Sequence, residues 1–293
     1  MATVGVIGLG NMGRGMAITL KRGHHRVLGY DVLEATRQAL AADGVEIFAD
    51  IASLCRQAEI LILSLPTAAI VEDVVAGPGG ILANAQPNLL VVDTSTSHPE
   101  TTRRLAGLLT AADMSMIDAP VSGGPKGAIT GTMTMVIGGA GEDVARAMPI
   151  LEAMSAERVH VGRVGAGHVT KIINNLLCAA HLLTGAEAVR LAREAGVDPE
   201  RMLEGINAGS GRSGVTQVNF PIWVLNGAFD SGFTMKLMRK DVRLGAHVIA
   251  DLGVALPMTA ETVRIWAESV NTIADGEDFN RIVALQLERT SKD

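Results

Sequence analysis

The chain has 293 residues, of which 48% are hydrophobic, with a formal net charge of −6 and a mean hydropathy of +0.29. That length and apolar content suit two packed α/β-type domains, and the absence of low-complexity stretches argues against disorder. An acidic balance without a basic run or an aromatic-interleaved basic patch argues against nucleic-acid binding. Cys55 and Cys178 lie far apart with no C-x-x-C, which excludes a cysteine-framed metal site and suits a reduced cytoplasm, the expected compartment. Apart from His24-His25, expected in an exposed turn, the seven histidines are scattered, so no metal is expected. A strand starts so near residue 1 that no signal peptide is expected. The apolar run from Asn175 to Ala188 is broken by His181, Thr184 and Glu187, so no membrane-spanning segment is expected either.

In chain order, apolar strand-like runs are predicted at Thr3–Gly8, Arg26–Tyr30, Ile60–Leu63, Leu89–Asp93, Ser115–Asp118, Thr132–Gly138 and Arg158–Val161, alternating with helical segments. This alternation predicts a Rossmann-type α/β fold with a doubly wound, mostly parallel sheet. The runs ending in Ser64-Leu65-Pro66-Thr67 and Asp93-Thr94-Ser95-Thr96 put polar residues and proline at strand carboxyl ends, where ligands bind in open α/β sheets. After a glycine-rich junction at Gly162 to Gly167 the pattern changes. Val169 to Glu194 reads as one long helix, apolar on most faces and therefore buried. Gly196 stops it, Asp198 caps the next helix and Pro199 occupies that helix's first turn. The remainder reads as helical, with breaks at Gly209–Gly214 and Gly227–Gly232. The predicted division is a Rossmann-type domain over residues 1–163 and an all-α domain over residues 164–293 that begins with the long helix.

Val4 to Gly13 contains G-x-G-x-x-G directly after a strand and before a helix, with Asp31 at the end of the next strand. Each part has a task in holding a dinucleotide. Gly8 allows the tight turn, Gly10 lets the backbone approach a pyrophosphate, and Gly13 lets helix and strand pack closely. The helix start, with Leu9, Asn11 and Met12 around it, offers unpaired N–H groups and a partial positive charge. Asp31 can accept both ribose hydroxyls of an adenosine, and its carboxylate repels a 2′-phosphate. Val32 follows instead of an arginine, so NAD is expected over NADP, with Arg37 a surface helix residue.

Three further clusters could carry chemistry. His168, Lys171 and Asn175, spaced i, i+3, i+7, share roughly one side near the start of the long helix. Lysine and asparagine in an apolar helix are costly to bury unless something polar faces them. Either Lys171 snorkels to the surface, or Lys171 and Asn175 face a substrate in a cleft between domains. A lysine partly removed from water beside other cations releases its proton more readily, which suits proton transfer. Ser122-Gly123-Gly124 follows a strand and exposes consecutive N–H groups that could receive an anionic oxygen, although alone it reads as an ordinary turn. Lys236 and Lys240 lie four apart on a helix and alone read as a solvated face.

Together these pieces resemble the 3-hydroxyisobutyrate dehydrogenase (β-hydroxyacid dehydrogenase) family over essentially the whole chain. Gly8-Leu9-Gly10-Asn11-Met12-Gly13 resembles its cofactor loop, and Asp93-Thr94-Ser95-Thr96-Ser97-His98-Pro99 its D-x-S-T-x-x-P segment. Asp118 through Gly124 resembles its substrate loop, Gly165 through Asn175 its catalytic helix, and Leu237-Met238-Arg239-Lys240-Asp241 its L-x-x-K-D segment. The resemblance implies Lys171 as general acid/base, Asn175 orienting the substrate, and Ser122, Gly123 and Gly124 binding its anionic group. It places Lys240 near nicotinamide and substrate, and Leu65, Pro66 and Thr96 along the cofactor. Where the family commonly has a neutral residue this chain has His168, expected to add selectivity or to cap the edge of a polar pocket. The implied reaction is reversible hydride transfer between NAD and the β-hydroxyl of a small anionic hydroxy acid, such as hydroxyisobutyrate, glycerate, threonate, serine or a sulfonate analogue. A homodimer or homotetramer is expected. The alternatives are an imine- or keto-reducing relative and a catalytically silent NAD-binding protein.

Overall fold

The computed structural model describes residues 1–287, and residue contacts divide the chain into two units, Met1–Lys171 and Ile172–Asp293. In the first unit the elements run β1 (Thr3–Ile7), α1 (Asn11–Arg22), β2 (Arg26–Tyr30), α2 (Glu34–Ala42), β3 (Glu46–Ile47), α3 (Ile51–Cys55), β4 (Ile60–Leu63), α4 (Ala68–Ala76), α5 (Ile81–Asn84), β5 (Leu90–Asp93) and α6 (Pro99–Thr110). They continue with β6 (Ser115–Asp118), β7 (Val121–Ser122), α7 (Gly124–Thr130), β8 (Met133–Gly138), α8 (Gly141–Met154) and β9 (Ser155–Gly162). Strands β3-β2-β1-β4-β5-β6 pair in parallel in that order; β8 is antiparallel to β6 and β7 and parallel to β9. The strand order reverses between β1 and β4, which opens a crevice at their carboxyl ends.

Alternation along the strands divides the core between the two faces of the sheet. Val4, Val6, Ile60, Ile62, Leu90 and Val92 face α1 and α8, whereas Leu61, Leu63 and Val91 face the side holding α4 and α6. The seven predicted strands are present with ends shifted by up to three residues. Two strands of two residues each, β3 and β7, were not predicted, since neither carries an alternating run of its own. β3 forms on the register Leu28↔Glu46 and β7 on Val121↔Met135, so both are made by their neighbours.

Helix α9 (Ala166–Glu194) starts in the first unit and continues through the second. It is followed by α10 (Pro199–Ala208), a π-helix over Val215–Val224, α11 (Met235–Leu252), α12 (Pro257–Glu268), 3-10 turns at Ser269–Asn271 and Phe279–Val283, and α13 (Ala284–Leu287). The end of α9 follows the predicted punctuation: Gly196 has φ +73°, and Asp198 accepts from the Arg201 amide at 3.0 Å. By length and composition alone α9 is apolar enough to cross a membrane, with half of its most apolar window buried. Its apolarity has a partner inside the second unit. Ala179, Leu182, Leu183, Ala186 and Val189 pack with Phe220, Met238, Val242 and Trp266, and Trp266 Nε1–H donates to the Ala179 carbonyl at 3.2 Å.

Candidate active site

The glycine loop is shaped by contacts that exclude side chains. Gly8 has φ +90°, and a Cβ on Gly13 would lie 1.8 Å from the Gly8 carbonyl oxygen. Gly10 differs: a Cβ there would meet nothing within 4 Å, so the space above the loop is open. Gly10 is also the residue before α1 and has no side chain to satisfy the first-turn amides, which leaves them for a ligand. Leu9 is buried in the core, so its side chain cannot touch a cofactor, but its N–H donates to Asp31 Oδ2 at 2.7 Å. Leu33 N–H donates to Asp31 Oδ1 at 2.9 Å. A carboxylate has about four lone-pair sites, so two acceptor positions remain for a ribose. These residues fit a dinucleotide.

Arg37, expected as a plain surface residue, is half-buried and turns back on the loop. Its Nη1–H donates to the carbonyls of Asp31 at 2.6 Å and Val32 at 3.3 Å. On the far side of the crevice, Leu65 N–H donates to Ser95 Oγ at 3.0 Å, joining the Leu65-Pro66 segment to the loop that carries Thr96. Pro66 is exposed and Thr96 half-buried.

Gly123 and Gly124 have φ of +116° and +61°, left-handed values that explain a glycine pair after Ser122. Lys171 is half-buried, and its Nζ donates to Ser122 Oγ at 2.8 Å. The sequence-predicted amine and hydroxyl, 49 residues apart, are thus in direct contact. Asn175 follows one turn later on α9. It is 6% exposed, and its amide donates to Asp241 Oδ2 at 2.7 Å. Lys240 Nζ lies 2.9 Å from the other oxygen of Asp241. Asp241, buried at 2% exposure, therefore sets the orientation of two predicted substrate residues and was not itself singled out as one. The available signal was its place beside Lys240 in L-x-x-K-D. Arg239 of that motif is structural: it bonds Ser269 Oγ, Asp275 and the carbonyls of Ser269 and Ile273. The expectation for His168 is corrected. Its side chain is 0% exposed, so it neither touches a substrate nor caps a pocket edge.

Residues 3–162 match the family model for the NAD-binding domain of 6-phosphogluconate dehydrogenase, and residues 165–286 match that for the NAD-binding of NADP-dependent 3-hydroxyisobutyrate dehydrogenase. Over 287 residues, 98% of this chain and 95% of the other, the chain is 34% identical to 2-(hydroxymethyl)glutarate dehydrogenase of Eubacterium barkeri. It is 33% identical to 3-hydroxyisobutyrate dehydrogenase of Pseudomonas aeruginosa, covering 97% and 98% of the two. The structure of Mycobacterium tuberculosis 3-hydroxyisobutyrate dehydrogenase with L-serine superposes with a TM-score of 0.91 at 32% identity, covering 97% of this chain and 99% of that one. The chain belongs to the 3-hydroxyisobutyrate dehydrogenase (β-hydroxyacid dehydrogenase) family.

This β-hydroxyacid dehydrogenase homologue is an oxidoreductase with an NAD(P)-binding Rossmann-type domain followed by a helical one. The G-x-G-x-x-G loop, Ser122-Gly123-Gly124 and the start of α9 all occur in the first unit, while L-x-x-K-D occurs in the second.

Proposed function

We propose that the protein transfers hydride reversibly between NAD and the β-hydroxyl of a small hydroxy acid, with Lys171 as general acid/base. The observation that carries this reading is the Lys171 Nζ contact with Ser122 Oγ at 2.8 Å, beside the glycine pair. A bound nicotinamide would supply hydride acceptance in oxidation and hydride donation in reduction. The chain's own residues handle the proton and the charge. In oxidation the unprotonated Lys171 amine takes the proton of the substrate hydroxyl. In reduction the Lys171 ammonium returns a proton to the same oxygen, where negative charge grows and a nearby cation has its largest effect. Ser122 holds the amine in place and, with the backbone N–H groups of Gly123 and Gly124, receives the substrate's anionic group. In the second unit, Asn175 and Lys240 are both oriented by Asp241, which suits the substrate roles that the family resemblance implies for them.

The test is a panel of small hydroxy acids, including 3-hydroxyisobutyrate, 2-(hydroxymethyl)glutarate, glycerate, serine and threonate, followed by NADH absorbance. Saturable turnover of at least one is expected. Turnover of imines or uncharged ketones with none of the acids would overturn the reading.

Asp31 supports NAD over NADP, and Arg37 turns its Nη1–H groups onto the carbonyls of Asp31 and Val32. Asp31→Asn combined with Val32→Arg should therefore raise the NADP-to-NAD ratio of kcat/KM by about tenfold or more, the worth of one charge-assisted hydrogen bond. An unchanged ratio would count against Asp31 as the discriminating residue.

A further inference from the structure

The root of α9 holds three ionisable side chains without solvent access: Asp93 at the end of β5, Asp118 at the end of β6, and His168 in the helix's first turn, each 0% exposed. Asp118 clamps that turn by accepting from the Gly165 N–H at 2.6 Å and the His168 N–H at 2.7 Å. Burial pushes the Asp118 carboxyl up from its ordinary range. The charge of His168 and the two amides pull it down, and Asp93 adds to the rise. Gly167 permits this proximity, since a Cβ there would lie 2.6 Å from the Val136 carbonyl and 2.9 Å from that of Asp118.

Asp93 uses one oxygen to accept from the Ser95 N–H at 3.0 Å. Its other oxygen, Oδ2, has no hydrogen-bond partner and lies 3.8 Å from His168 Nε2. Asp118 Oδ2 lies 3.9 Å from His168 Nδ1. A buried carboxylate oxygen without a donor is costly unless a positive charge faces it. The hydrogen bonds of the ring accommodate that charge. Nε2 is 3.0 Å from the Ser95 carbonyl, which can only accept, so Nε2 carries a proton. Nδ1 is 2.8 Å from Thr102 Oγ1, a hydroxyl that also lies 3.2 Å from the His98 carbonyl. Each ring nitrogen thus has an oxygen within reach that can accept its proton. From α6, Arg103 reaches Gly165 and pairs with exposed Glu100 at 3.3 Å, while His98 caps the helix.

We infer that His168 is a positioning residue: a buried imidazolium between Asp93 and Asp118 that locks the first turn of α9 to the ends of β5 and β6 and so holds Lys171 against Ser122. Lys171 stands three residues after His168 and Ser122 four after Asp118, so both reacting-side groups take their place from one triad. The charge state stands on the contacts alone; the positioning role rests on the acid/base reading of Lys171.

The charge is read in the intact protein by nitrogen NMR with labelled histidine at pH about 8, where an ordinary histidine is neutral. The His168 resonances are assigned by their loss in His168→Gln. Two protonated ring nitrogens are expected, and one unprotonated nitrogen would overturn the imidazolium. Positioning is read in His168→Gln, which keeps a neutral hydrogen-bonding side chain. It should lower kcat about ten- to hundredfold, as a small misplacement of a reacting group does, with KM and dinucleotide affinity within about threefold of the parent. His168→Gln with parental kcat would overturn the positioning role. If that variant does not fold, His168→Gln/Asp93→Asn removes both charges and provides the same kcat test, and the resonances are then assigned by their loss in that variant. Should Lys171→Ala keep full turnover, the acid/base reading fails while the NMR result still decides the charge. Should Lys171→Ala lose turnover while His168→Gln does not, only the inference fails.

Discussion

Lys171→Ala is expected to lower kcat by about 10²–10⁴-fold, the range attributed to a positioned general acid or base, while dinucleotide affinity stays within a few-fold. The asymmetry follows from location. Lys171 bonds Ser122 at 2.8 Å, whereas the glycine loop and Asp31 lie at the ends of other strands. The loss should therefore fall on turnover. Truncation also leaves Ser122 Oγ without its ammonium donor, so some rise in KM for an anionic substrate accompanies it. Two measurements check this: steady-state kinetics on whichever hydroxy acid the panel identifies, and fluorescence titration with NADH. Turnover within threefold of the parent with intact NADH binding would remove Lys171 from the proton path. Lys171→Arg adds a second arm. It preserves a cation but not a group that deprotonates, so kcat should stay low if proton transfer is the role and recover if charge alone suffices.

Alanine at Gly10 and alanine at Gly13 should separate binding from folding. Gly10 has φ −62° and ψ −171°, a conformation open to any residue, and its Cβ would meet nothing within 4 Å. Gly10→Ala is therefore expected to keep the parent's melting temperature without cofactor and to weaken NADH binding by about 10–100-fold. That is the effect of overpacking by about 1–3 kcal/mol, here imposed on the ligand. Gly13→Ala places its methyl carbon 1.8 Å from the Gly8 carbonyl, a backbone atom that cannot move aside as a side chain would. It should lower the melting temperature even without cofactor. Thermal denaturation with and without NADH reads both variants. Unchanged NADH affinity in Gly10→Ala would show that the dinucleotide does not approach this backbone.

How much of this was legible beforehand depends on how far apart the cooperating residues lie. Helix ends such as Gly196, Asp198 and Pro199 were readable because caps act over three or four residues. The longer strands were readable because two-residue alternation is local to each run. His168 was misread for the opposite reason. Its partners are Ser95, Asp93, Thr102 and Asp118, all 50 or more residues earlier, so no spacing rule distinguishes a buried counter-ion from a selectivity residue. Asp241 went unremarked because its partner Asn175 is 66 positions away. Arg37 was taken for a surface residue because helical periodicity does not report that a side chain folds back onto the carbonyls of Asp31 and Val32.

The amino-acid sequence alone therefore determined the Rossmann-type class, the dinucleotide loop with its acid, and the lysine that heads the long helix, since each is written in short contiguous motifs. Only the tertiary structure decided that Lys171 bonds Ser122, that Asp241 orients Asn175 and Lys240, and that His168 is interior. The physical reason is that burial, charge pairing and hydrogen-bond partners are set by which distant segments the packed core brings within about 3 Å of one another.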